Sequence, residues 1–507
     1  MSDRNIRGAL ISVYYKEGLS EIVGLLHEMN VKIYSTGGTY SFIKESGIPV
    51  TSVEELTTYP SILGGRVKTL HPLVFGGILA RRDIPEDMEQ SAGYGIPEID
   101  LVIVDLYPFE QTVQTVDDED EIIEKIDIGG ISLIRAAAKN HRDVLVVSSR
   151  EQYPELLALL KAGRGITKPD DRKRFAAEAF KISSHYDTLI FRYFNREQNI
   201  PVFRESINRA WPLRYGENPH QKGIFFGDPD EVFEKLHGRE ISYNNLLDLE
   251  AALSLSLEFS DTTFAIIKHN NACGVASRKT AVEAWTDALA CDPVSAYGGV
   301  IAANVPVDEA VAQEIDQIFF EIILAPAYSG RALEILQQKK NRIVLRLKKP
   351  LLPAYCYRSL LNGVLWQERD SYTESPEDLK SVTNRKPEAG EIEDMLFANK
   401  IVKHTKSNAI VLARNKQLCA SGTGQTSRVD ALRQAIAKAQ SFGFDLRGAV
   451  MASDAFFPFA DSIEIAHKAG ITAVIQPGGS VRDQETIDYC NTYNITMVFT
   501  GKRHFRH

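Results

Sequence analysis

The sequence is poor in cysteine and lacks both long apolar runs and an excess of positive charge. Its five cysteines among 507 residues are scattered, and no two of them form a Cys-x-x-Cys pair. This usage argues against a disulfide scaffold and favours a reducing, cytoplasmic compartment. No apolar run approaches the roughly 18 residues that cross a bilayer, and residues 1–8 contain no apolar signal-peptide core. We therefore expect a cytoplasmic protein with no membrane partner.

The charge balance excludes one large class of partner. Lys and Arg number 58 against 67 Asp and Glu, which gives a formal net charge of −9. Non-specific nucleic-acid binding depends on a strongly basic surface, so we expect no nucleic-acid partner, although local basic pockets can still hold a phosphorylated small molecule. Hydrophobic residues make up 44% and charged residues 25%, which is typical of a globular protein and not of a disordered chain. At about 150 residues per domain, the length suggests about three folding units.

The N-terminal part alternates short apolar runs with helical patterns, which predicts a doubly wound α/β domain around a parallel sheet. The predicted elements are the strand Ala9–Val13, the helix Leu19–Met29, the strand Val31–Tyr34, the helix Tyr40–Glu45, and the strands Leu101–Val104 and Val144–Val147. A predicted helix over Arg172–Phe194 closes this unit. We place the domain boundary near residues 196–205 and take the domains as 1–196 and 197–507.

The C-terminal part contains a faint internal duplication. Its first copy is the strand Thr263–Lys268, a polar loop with a glycine, the helix Ala281–Ala290 and the strand Gly299–Ala303. Its second copy is the strand Asn408–Ala413, the loop Gly422–Gln425, the helix Val429–Gln440 and the strand Ala449–Ala452. We expect two similar α/β subdomains joined by a variable connection, Ala325–Pro387. The topology alone is equally compatible with a chance likeness between two ordinary α/β units.

Four polar loops of the N-terminal part are candidates for a binding site. The turn Ser35–Thr39 offers backbone amides at a helix start, which suit a phosphate, and an ordinary strand-to-helix turn is the alternative. The loop Gly64–Pro72 carries two cations that can clamp an anion, or it is a solvated basic loop. Tyr107 follows a buried strand, where open sheets bind ligands, and a capped tyrosine of the core is the alternative. Asp127 precedes two glycines and can equally be a helix N-cap.

The C-terminal part also concentrates polar side chains at predicted strand ends. Lys268 and His269 end a strand, and a turn there lets His269 act as a general base and Lys268 stabilise negative charge. A metal site at His269 and Cys273 is the alternative, but further ligands are missing nearby. The segment Leu213–Gln221 is a binding loop or a linker turn, and Gly422–Arg428 is a second polar strand end.

Two more segments can be interpreted either as binding sites or as purely structural features. Ser453–Asp461 combines two acids with three phenylalanines, which can sandwich a flat heterocycle or simply pack in the core. The basic tail Gly501–His507 is either a frayed terminus or a docked segment that lends Arg503 to a phosphate.

Taken in order, these motifs resemble the bifunctional purine biosynthesis family. That family joins aminoimidazole carboxamide ribonucleotide (AICAR) formyltransferase to inosine monophosphate (IMP) cyclohydrolase. The resemblance covers the whole chain and rests on STGGT, GRVKTLHP, LYPF, DIGG, RAAAKNH, LRYGENPHQ, DPVSAYGG, GxGQxSRV and SDAFFPF. It implies a methylglyoxal-synthase-like cyclohydrolase domain at 1–196. It also implies a transferase of two cytidine-deaminase-like α/β/α subdomains at 197–507, without their zinc.

The resemblance also implies the reactions and partners. A formyl group passes from 10-formyltetrahydrofolate, a co-substrate, to the 5-amino group of AICAR, and formyl-AICAR then closes to IMP with loss of water. The implied ligands are AICAR, formyl-AICAR, IMP and folate, with no metal and no tightly bound cofactor. A homodimer with the transferase site at the subunit interface is implied as well. A zinc deaminase and a non-catalytic nucleotide-binding protein are the alternatives; the many Lys, His, Tyr and Asp side chains at loop ends argue against the latter.

The resemblance assigns roles to individual residues. The implied catalytic residues are Lys268, His269 and Asn408 for formyl transfer, and Lys68, Tyr107, Asp127 and Lys139 for cyclisation. The implied substrate-binding residues of the first domain are Ser12, Lys16, Ser35, Thr36, Gly37, Gly38, Thr39, Arg66, Thr69, Asp105 and Gly129. Those of the second domain are Arg214, Tyr215, Gly298, Glu321, Arg428, Phe456, Pro458, Phe459, Asp461 and Arg503.

The sequence departs from the family pattern at three places. Residues 13–18 read VYYKEG where the family usually has a VSDKTG-like sequence, so phosphate contacts there are expected to differ. Asp105 stands where the family often has Asn, which adds a negative charge near the substrate. Ala272 stands where the family usually has Pro, which is expected to loosen the turn after His269.

Overall fold

The computed structural model describes residues 2–507, which form two compact units, Met1–Asn208 and Arg209–His507. The first unit ends later than the boundary expected near residues 196–205. The reason is that residues 199–208 pack back on the preceding helix, where His185 Nδ1 lies 2.9 Å from Ser206 Oγ and Arg192 forms an ion pair with Glu205. Within residues 2–507, no helix is both long and apolar enough to cross a membrane.

The first unit alternates strands and helices along the chain. Its strands are β1 (Arg4–Asn5), β2 (Gly8–Ser12), β3 (Lys32–Ser35), β4 (Thr51–Ser52), β5 (Leu101–Val104), β6 (Leu145–Val147) and β7 (Ile166–Thr167). Its helices are α1 (Leu19–Glu28), α2 (Gly37–Glu45), α3 (Val53–Thr57), α4 (Pro72–Leu79), α5 (Pro85–Gly93), α6 (Phe109–Thr115), α7 (Glu119–Glu124), α8 (Ile128–Lys139), α9 (Tyr153–Gly163) and α10 (Pro169–Gln198).

A five-stranded parallel sheet forms the centre of this unit, with the order β4-β3-β2-β5-β6. Apolar side chains cover both faces: Ile11 and Phe175 lie in the core on one side, and Leu10 and Val102 lie in the core on the other. The predicted doubly wound fold is therefore confirmed. Because the strands are parallel, the loops that follow β2, β3 and β5 open at the same edge of the sheet.

The second unit contains the remaining elements. Its strands are β8 (Ala210–Pro212), β9 (Ile224–Phe226), β10 (Phe233–His237), β11 (Thr262–Lys268), β12 (Asn271–Arg278), β13 (Val300–Ala303), β14 (Ile322–Ala325), β15 (Ile343–Leu347), β16 (Tyr355–Leu360), β17 (Gly363–Glu368), β18 (Lys380–Ser381), β19 (Ile410–Arg414), β20 (Gln417–Gly422), β21 (Val450–Ser453), β22 (Ala473–Gln476) and β23 (Thr496–Phe499). Its helices are α11 (Tyr243–Ser256), α12 (Ala281–Cys291), α13 (Pro293–Ala296), α14 (Glu309–Asp316), α15 (Gly330–Leu336), α16 (Ala389–Lys403), α17 (Arg428–Ser441), α18 (Asp461–Lys468) and α19 (Asp483–Thr492).

Twelve of these strands form one sheet that is symmetric about its middle. The order is β10-β15-β14-β13-β11-β12 in the first half and β20-β19-β21-β22-β23-β18 in the second. Each half has an antiparallel hairpin, a third strand antiparallel to it, two parallel strands and an antiparallel edge strand. The halves meet at Ala276 and Gln417. The expected pair of similar subdomains is confirmed.

The structure corrects three predictions in this unit. The polar loop after Lys268 is a tight turn followed by a full strand, β12, and the loop Gly422–Gln425 is preceded by the unpredicted strand β20. Both strands were missed because they are rich in small residues (NACGVASR and QLCASG) and lack the β-branched pattern. The segment Ala325–Pro387 is also more than a connection, because it supplies β15 and β18 to the sheet and carries the separate hairpin β16–β17.

Two glycines show why the hairpin strands contain such small residues. A Cβ atom on Gly274 would lie 2.1 Å from the carbonyl oxygen of Ala288, and one on Gly422 would lie 1.7 Å from that of Ala431. In each half, the helix that follows the hairpin therefore touches the strand backbone directly. This close approach holds α12 and α17 against the sheet.

The close approach predicts a large loss of stability in a Gly422→Ala variant. The added methyl group meets a helix carbonyl that cannot move without shifting α17, and overpacking of this kind costs about 3 kcal/mol or more. Chemical denaturation monitored by circular dichroism measures the change. Gly390→Ala is the matched control, since a Cβ there meets nothing within 4 Å. The control is expected to be neutral or slightly stabilising, and equal losses in both variants would contradict the explanation.

Candidate active sites

The turn between β3 and α2 forms the first candidate site. Ser35 Oγ donates to the carbonyl oxygen of Ile11 (2.7 Å) and Thr39 Oγ1 donates to that of Val13 (2.9 Å). Both predicted phosphate ligands thus use their hydroxyl groups to hold the end of β2. A phosphate at this turn would meet the backbone N–H groups of α2, which begins at Gly37, three residues before the predicted start. The Thr36 side chain is buried, and its Oγ1 donates to Glu54 Oε1 (3.5 Å).

The loop Gly64–Pro72 lies across this edge of the sheet. Lys68 Nζ is 3.3 Å from the position that a Cβ would take on Gly37, and Thr69 Oγ1 is 3.1 Å from the corresponding position on Gly129. One loop therefore links the N-terminal end of α2 to that of α8. The absence of a side chain on Gly37 and Gly129 leaves room for these two contacts.

Asp127 and Tyr107 complete this cluster. Asp127 Oδ1 accepts the N–H of Gly130 (2.6 Å), which caps α8. Burial raises the pKa of Asp127, while hydrogen bonds from the Gly130 and Tyr107 backbones and the charge of Lys68 oppose that effect. Burial, followed by the negative charge of Asp127, raises the pKa of Tyr107. Tyr107 therefore stays protonated at neutral pH and can donate a hydrogen bond next to a carboxylate and an ammonium group.

The departures at residues 13–18 and at 105 belong to one structural feature. Asp105 accepts the backbone N–H groups of Tyr14 and, at 3.1 Å, of Tyr15. Lys16 Nζ donates to the carbonyl oxygens of Val13 and, at 2.9 Å, of Tyr14. The predicted ligands Asp105 and Lys16 are thus engaged in holding the loop after β2, next to Ser12 at the strand end. A carboxylate at 105 fits a loop that presents two N–H groups to it.

Of the two remaining predicted residues of the first unit, Arg66 lies near the cluster and Lys139 lies apart from it. Arg66 forms an exposed ion pair with Glu124 at the end of α7, and Glu124 is close enough to Tyr107 for its charge to add to burial in raising the pKa of that residue. Lys139 is exposed in the last turn of α8, so the 12-residue helix separates it by about 18 Å from Asp127. The structure does not bring Lys139 to Lys68, Tyr107 and Asp127.

The second candidate site begins at the hairpin turn between β11 and β12. His269 and Asn270 form a two-residue turn with φ of 53° and 63°, and Lys268 pairs with Asn271 across it. This left-handed turn matches the twist of the two strands. Lys268 Nζ donates to the carbonyl oxygen of Tyr297 (2.8 Å), and the His269 side chain is exposed. The adjacent Lys and His thus lie at one edge of the sheet, as the predicted roles require.

The metal alternative does not fit this turn. Cys273 Sγ donates to the carbonyl oxygen of Ile266 (3.4 Å), and burial raises its pKa to about 12. Cys273 therefore points into the core, whereas His269 is exposed, so the two do not converge on one ion. Residues 2–507 contain no group of three or more His, Cys, Asp or Glu side chains arranged to hold a metal. Ala272 pairs with Ile267 within the ladder, so the turn is complete before the third departure from the family pattern.

The residues just before β13 and β14, Gly298 and Glu321, lie close to this turn in the same half of the sheet. Gly298, which has a φ of 74°, follows the carbonyl that Lys268 contacts, and its N–H donates to Phe319 (2.8 Å). The N–H of Glu321 donates to the carbonyl of Gly299 (3.0 Å), and its carboxylate pairs with Arg239. Gly298 and Glu321 thus lie at the edge of the sheet that carries Lys268.

The second half supplies the other side of this site. The N–H of Lys406 donates to Asn271 Oδ1 (3.2 Å), which joins the hairpin to the segment before β19. Two residues further on, Asn408 Nδ2 donates to the carbonyl of Gln425 (2.9 Å). The structure therefore brings His269 and Asn408 to the same region, where the two halves of the sheet meet.

Arg428 begins α17 on this side. It donates from Nε to Ser453 Oγ (3.0 Å) and from Nη2 to Asp454 Oδ1 (2.9 Å). Its guanidinium group is held against the start of the aromatic segment, so a nucleotide would have to share it with Asp454.

The aromatic segment is partly exposed and partly buried. Phe456 and Phe459 are 36% and 48% exposed, whereas Phe457 is buried in the core. Arg482 lies over the Phe459 ring at 4.8 Å, and Pro458 and Asp461 are exposed. Two of the three rings can therefore contact a ligand, and core packing accounts for the third.

The C-terminal tail is docked. His504 Nδ1 and Nε2 lie 2.6 Å and 2.8 Å from carboxylate oxygens of Asp370 and Glu374. Burial alone lowers the pKa of His504, but these hydrogen bonds outweigh it and raise the pKa to about 9. The Ser407 N–H donates to the carbonyl of Arg506 (2.9 Å), so the tail lies next to Asn408. The acidic partners of His504 were missed because nothing local in the sequence relates residues more than 100 positions apart.

Helix α11 connects the loop Leu213–Gln221 to the hairpin turn. Arg214 lies over the Tyr215 ring at 4.5 Å and donates to its hydroxyl group (2.5 Å). Asn244 Nδ2, in the first turn of α11, donates to the carbonyl of Glu217 (3.1 Å). Asp248, one helical turn later, accepts the N–H of Asn270 (2.6 Å). No motif recognised in the sequence includes Asp248, so nothing local marks it as a functional residue.

The chain matches two family models. The model of the MGS-like domain matches residues 18–132, and the model of the AICARFT/IMPCHase bienzyme matches residues 137–438.

The chain is also similar over its full length to curated proteins. The bifunctional purine biosynthesis protein PurH of Bacteroides thetaiotaomicron is 62% identical over 504 residues, which cover 99% of each chain. The PurH of Aquifex aeolicus is 47% identical and covers 98% of this chain and 100% of its own. Among solved structures, that of ForH is 34% identical over 37% of this chain and 96% of its own, with a TM-score of 0.33.

The buried imidazolium predicts a fall in stability at alkaline pH. An unfolded histidine loses its proton near pH 6.5, whereas His504 keeps it up to about pH 9. Its contribution is fully present below pH 6.5 and is lost as pH rises through about 9, a difference of about 3 kcal/mol. Urea denaturation between pH 6.5 and 9.5 measures this slope.

Two variants control this measurement. His504→Gln has no proton to lose and is expected to flatten the slope. His507→Gln, which changes an exposed residue of the same tail, is expected to keep it. Parallel curves for the wild type and His504→Gln would refute the assignment.

Proposed function

The chain belongs to the AICARFT/IMPCHase bienzyme family and is a bifunctional enzyme of purine biosynthesis, with AICAR formyltransferase and IMP cyclohydrolase activities, and we propose how its residues divide the two reactions. The first unit, expected at 1–196, carries the cyclisation, and the second, expected at 197–507, carries the folate-dependent formyl transfer. The observation that supports this division most strongly is the turn that presents His269 beside Lys268, next to the segment that leads to Asn408.

In formyl transfer, His269 acts as the general base. The 5-amino group of AICAR is a poor nucleophile, because its lone pair is conjugated with the ring and the carboxamide. Its proton has to leave as the new carbon–nitrogen bond forms at the formyl carbon, and an exposed imidazole is suited to accept it. Lys268, held by the Tyr297 carbonyl, keeps a positive charge beside the imidazole. That charge supports proton transfer to the folate nitrogen when its bond to the formyl carbon breaks.

Asn408 stabilises the oxygen of the tetrahedral intermediate. One hydrogen of its Nδ2 is donated to Gln425, and an amide nitrogen carries two hydrogens. The second hydrogen can be donated to the formyl oxygen as negative charge develops there. Arg214, Tyr215, Arg428 and Arg503 hold the nucleotide in this proposal. The exposed Phe456, Pro458, Phe459 and Asp461 hold the folate, and Gly298 and Glu321 contribute from the sheet edge that carries Lys268.

In cyclisation, the carboxamide nitrogen attacks the formyl carbon of the same molecule, and water leaves. The reaction is intramolecular, so correct placement of the two groups supplies much of the rate. Lys68 and Thr69 stabilise the oxygen that becomes the leaving water, and the protonated Tyr107 and half-buried Asp127 move protons. The phosphate binds at the N-terminal end of α2, through the backbone of Thr36, Gly37 and Gly38.

Three further properties belong to the same proposal. The formyl donor is 10-formyltetrahydrofolate, and no cofactor is tightly bound. The enzyme is a homodimer, which is supported by the exposed apolar side chains of the hairpin β16–β17, including Leu365 and Trp366. A monomeric mass in light scattering would contradict that point. The location is cytoplasmic, which agrees with five cysteines that form no disulfide in the structure.

We expect His269→Ala to lower the rate of formyl transfer about 100-fold or more, because the variant lacks the general base. Cyclisation of supplied formyl-AICAR is expected to stay at the wild-type rate, since it takes place in the other unit. Steady-state assays of the two half-reactions on one preparation measure both effects. Near-normal formyl transfer by the variant would refute the role of His269.

The converse is expected of Lys68→Met. Loss of one donor to a developing oxyanion lowers a rate by about 100- to 1,000-fold, so cyclisation falls while formyl transfer is retained. Lys161→Met, on the exposed side of α9, removes a lysine from the same unit and serves as the control. Cyclisation assays with formyl-AICAR compare the two variants, and equal rates in them would exclude a role for Lys68.

A further inference from the structure

A carboxylate on the neighbouring helix α11 holds the hairpin turn that carries His269. Asp248, on α11, accepts the N–H of Asn270 at 2.6 Å. Burial raises the pKa of Asp248, and hydrogen bonds from the backbones of Asn270 and His269, together with the nearby charges of His269 and Lys268, oppose that effect. The carboxylate is thus fixed to Asn270 of the turn and lies close to the backbone of His269, whereas the imidazole of His269 remains exposed.

The internal duplication contains a second copy of this arrangement. In the other half, Asn415 and Lys416 form the turn between β19 and β20, with φ of 52° and 50°. Asp394 accepts both of their backbone N–H groups, at 2.7 Å and 2.6 Å. Asp248 and Asp394 each lie six residues after the N-cap of their helix and 22 residues before the second residue of the turn. The two carboxylates are therefore equivalent.

The two copies differ in what the turn carries. The first presents His269, and the second has Asn415 at the same place, with no imidazole. The turn conformation itself is unfavourable for non-glycine residues, because both have positive φ. In both halves, hydrogen bonds from the turn backbone to a carboxylate offset the free-energy cost of this conformation. Only in the first half does it also decide where a base is placed.

We propose that Asp248 is a positioning residue for formyl transfer, which fixes the His269 turn to helix α11 and so sets the place of the general base. The inference rests on the proposed role of His269. Helix α11 also anchors the loop Leu213–Gln221 through Asn244, four residues before Asp248. One rigid helix therefore determines the distance between a nucleotide-binding loop and the base.

The test compares Asp248→Ala with its internal control, Asp394→Ala, in the full-length enzyme. Both variants lose a carboxylate below a hairpin turn, so similar decreases in Tm are expected. Only Asp248→Ala is expected to lower kcat for formyl transfer, by about 10- to 100-fold, because a displacement of about 1 Å suffices for such a loss. KM for AICAR and the cyclisation of supplied formyl-AICAR are expected to stay near their wild-type values.

Two conservative variants separate positioning from a loss of folding. Asp248→Asn keeps an oxygen that accepts backbone N–H groups and is expected to retain kcat within about 3-fold. Asp248→Glu keeps the charge, but its extra methylene displaces the turn, so kcat falls. This pair decides the question even when Asp248→Ala does not fold. Similar kcat values for the Asn and Glu variants would overturn the proposal.

A double-mutant cycle tests whether Asp248 acts through His269. In the His269→Ala background, Asp248→Ala is expected to cause no further loss of formyl transfer, because no base remains to be positioned. A further loss there, or an equal loss of kcat in Asp394→Ala, would overturn the inference. A His269→Ala enzyme with near-normal turnover would instead refute the proposed function.

Discussion

Buried and half-buried carboxylates that accept backbone N–H groups hold the loops on which the candidate chemistry is placed. Asp105 holds the loop after β2, Asp127 begins α8, and Asp248 and Asp394 hold the two hairpin turns. Burial of an ionised carboxylate costs free energy, so each position is stable only because hydrogen bonds offset that cost. Since the partners are backbone groups, the side chains of the same loops remain available to substrates.

The two halves of the duplicated sheet share one fold, but only the first half carries the candidate general base. Both halves have the same strand order, the same close contact between helix and strand, and the same turn held by a carboxylate. In the second half, however, Lys416 Nζ lies 2.9 Å from Asp261 and 3.5 Å from Glu393, so the charge at this turn is balanced within the chain. At the first turn, Asn270 stands at the position of Lys416 and His269 at that of Asn415. Two turn residues thus distinguish a candidate active site from its structural copy.

The sequence predicts the elements whose pattern is local. Leu101–Val104 is recognisable as a buried strand because four consecutive apolar residues cover both of its faces, and the structure gives it the same bounds. The strands β12 and β20 could not be recognised, because their small residues are required by helices that pack on them from elsewhere in the chain. Strands whose composition is determined by contacts with distant segments therefore cannot be predicted from local sequence patterns.

The same limit applies to the candidate sites. Lys268 and His269 were identified because they are adjacent at a strand end, and their motif also resembles the family pattern. Asp248 and the partners of His504 come from positions far away in the chain. The hydrogen bond from Ser35 to β2 could not be predicted either. The sequence shows a hydroxyl group at a turn, but not whether that group contacts a ligand or a backbone carbonyl.

The distribution of charge explains how a chain of net charge −9 can attract anionic substrates. Most arginines near the candidate sites, such as Arg239 and Arg428, are paired with carboxylates. Arg214, Lys268 and Arg503 form no ion pair among residues 2–507, and their contacts are a tyrosine, a carbonyl oxygen and a phenylalanine ring. These partners hold the side chains without an ion pair. A phosphate or folate carboxylate can therefore bind there without breaking an ion pair.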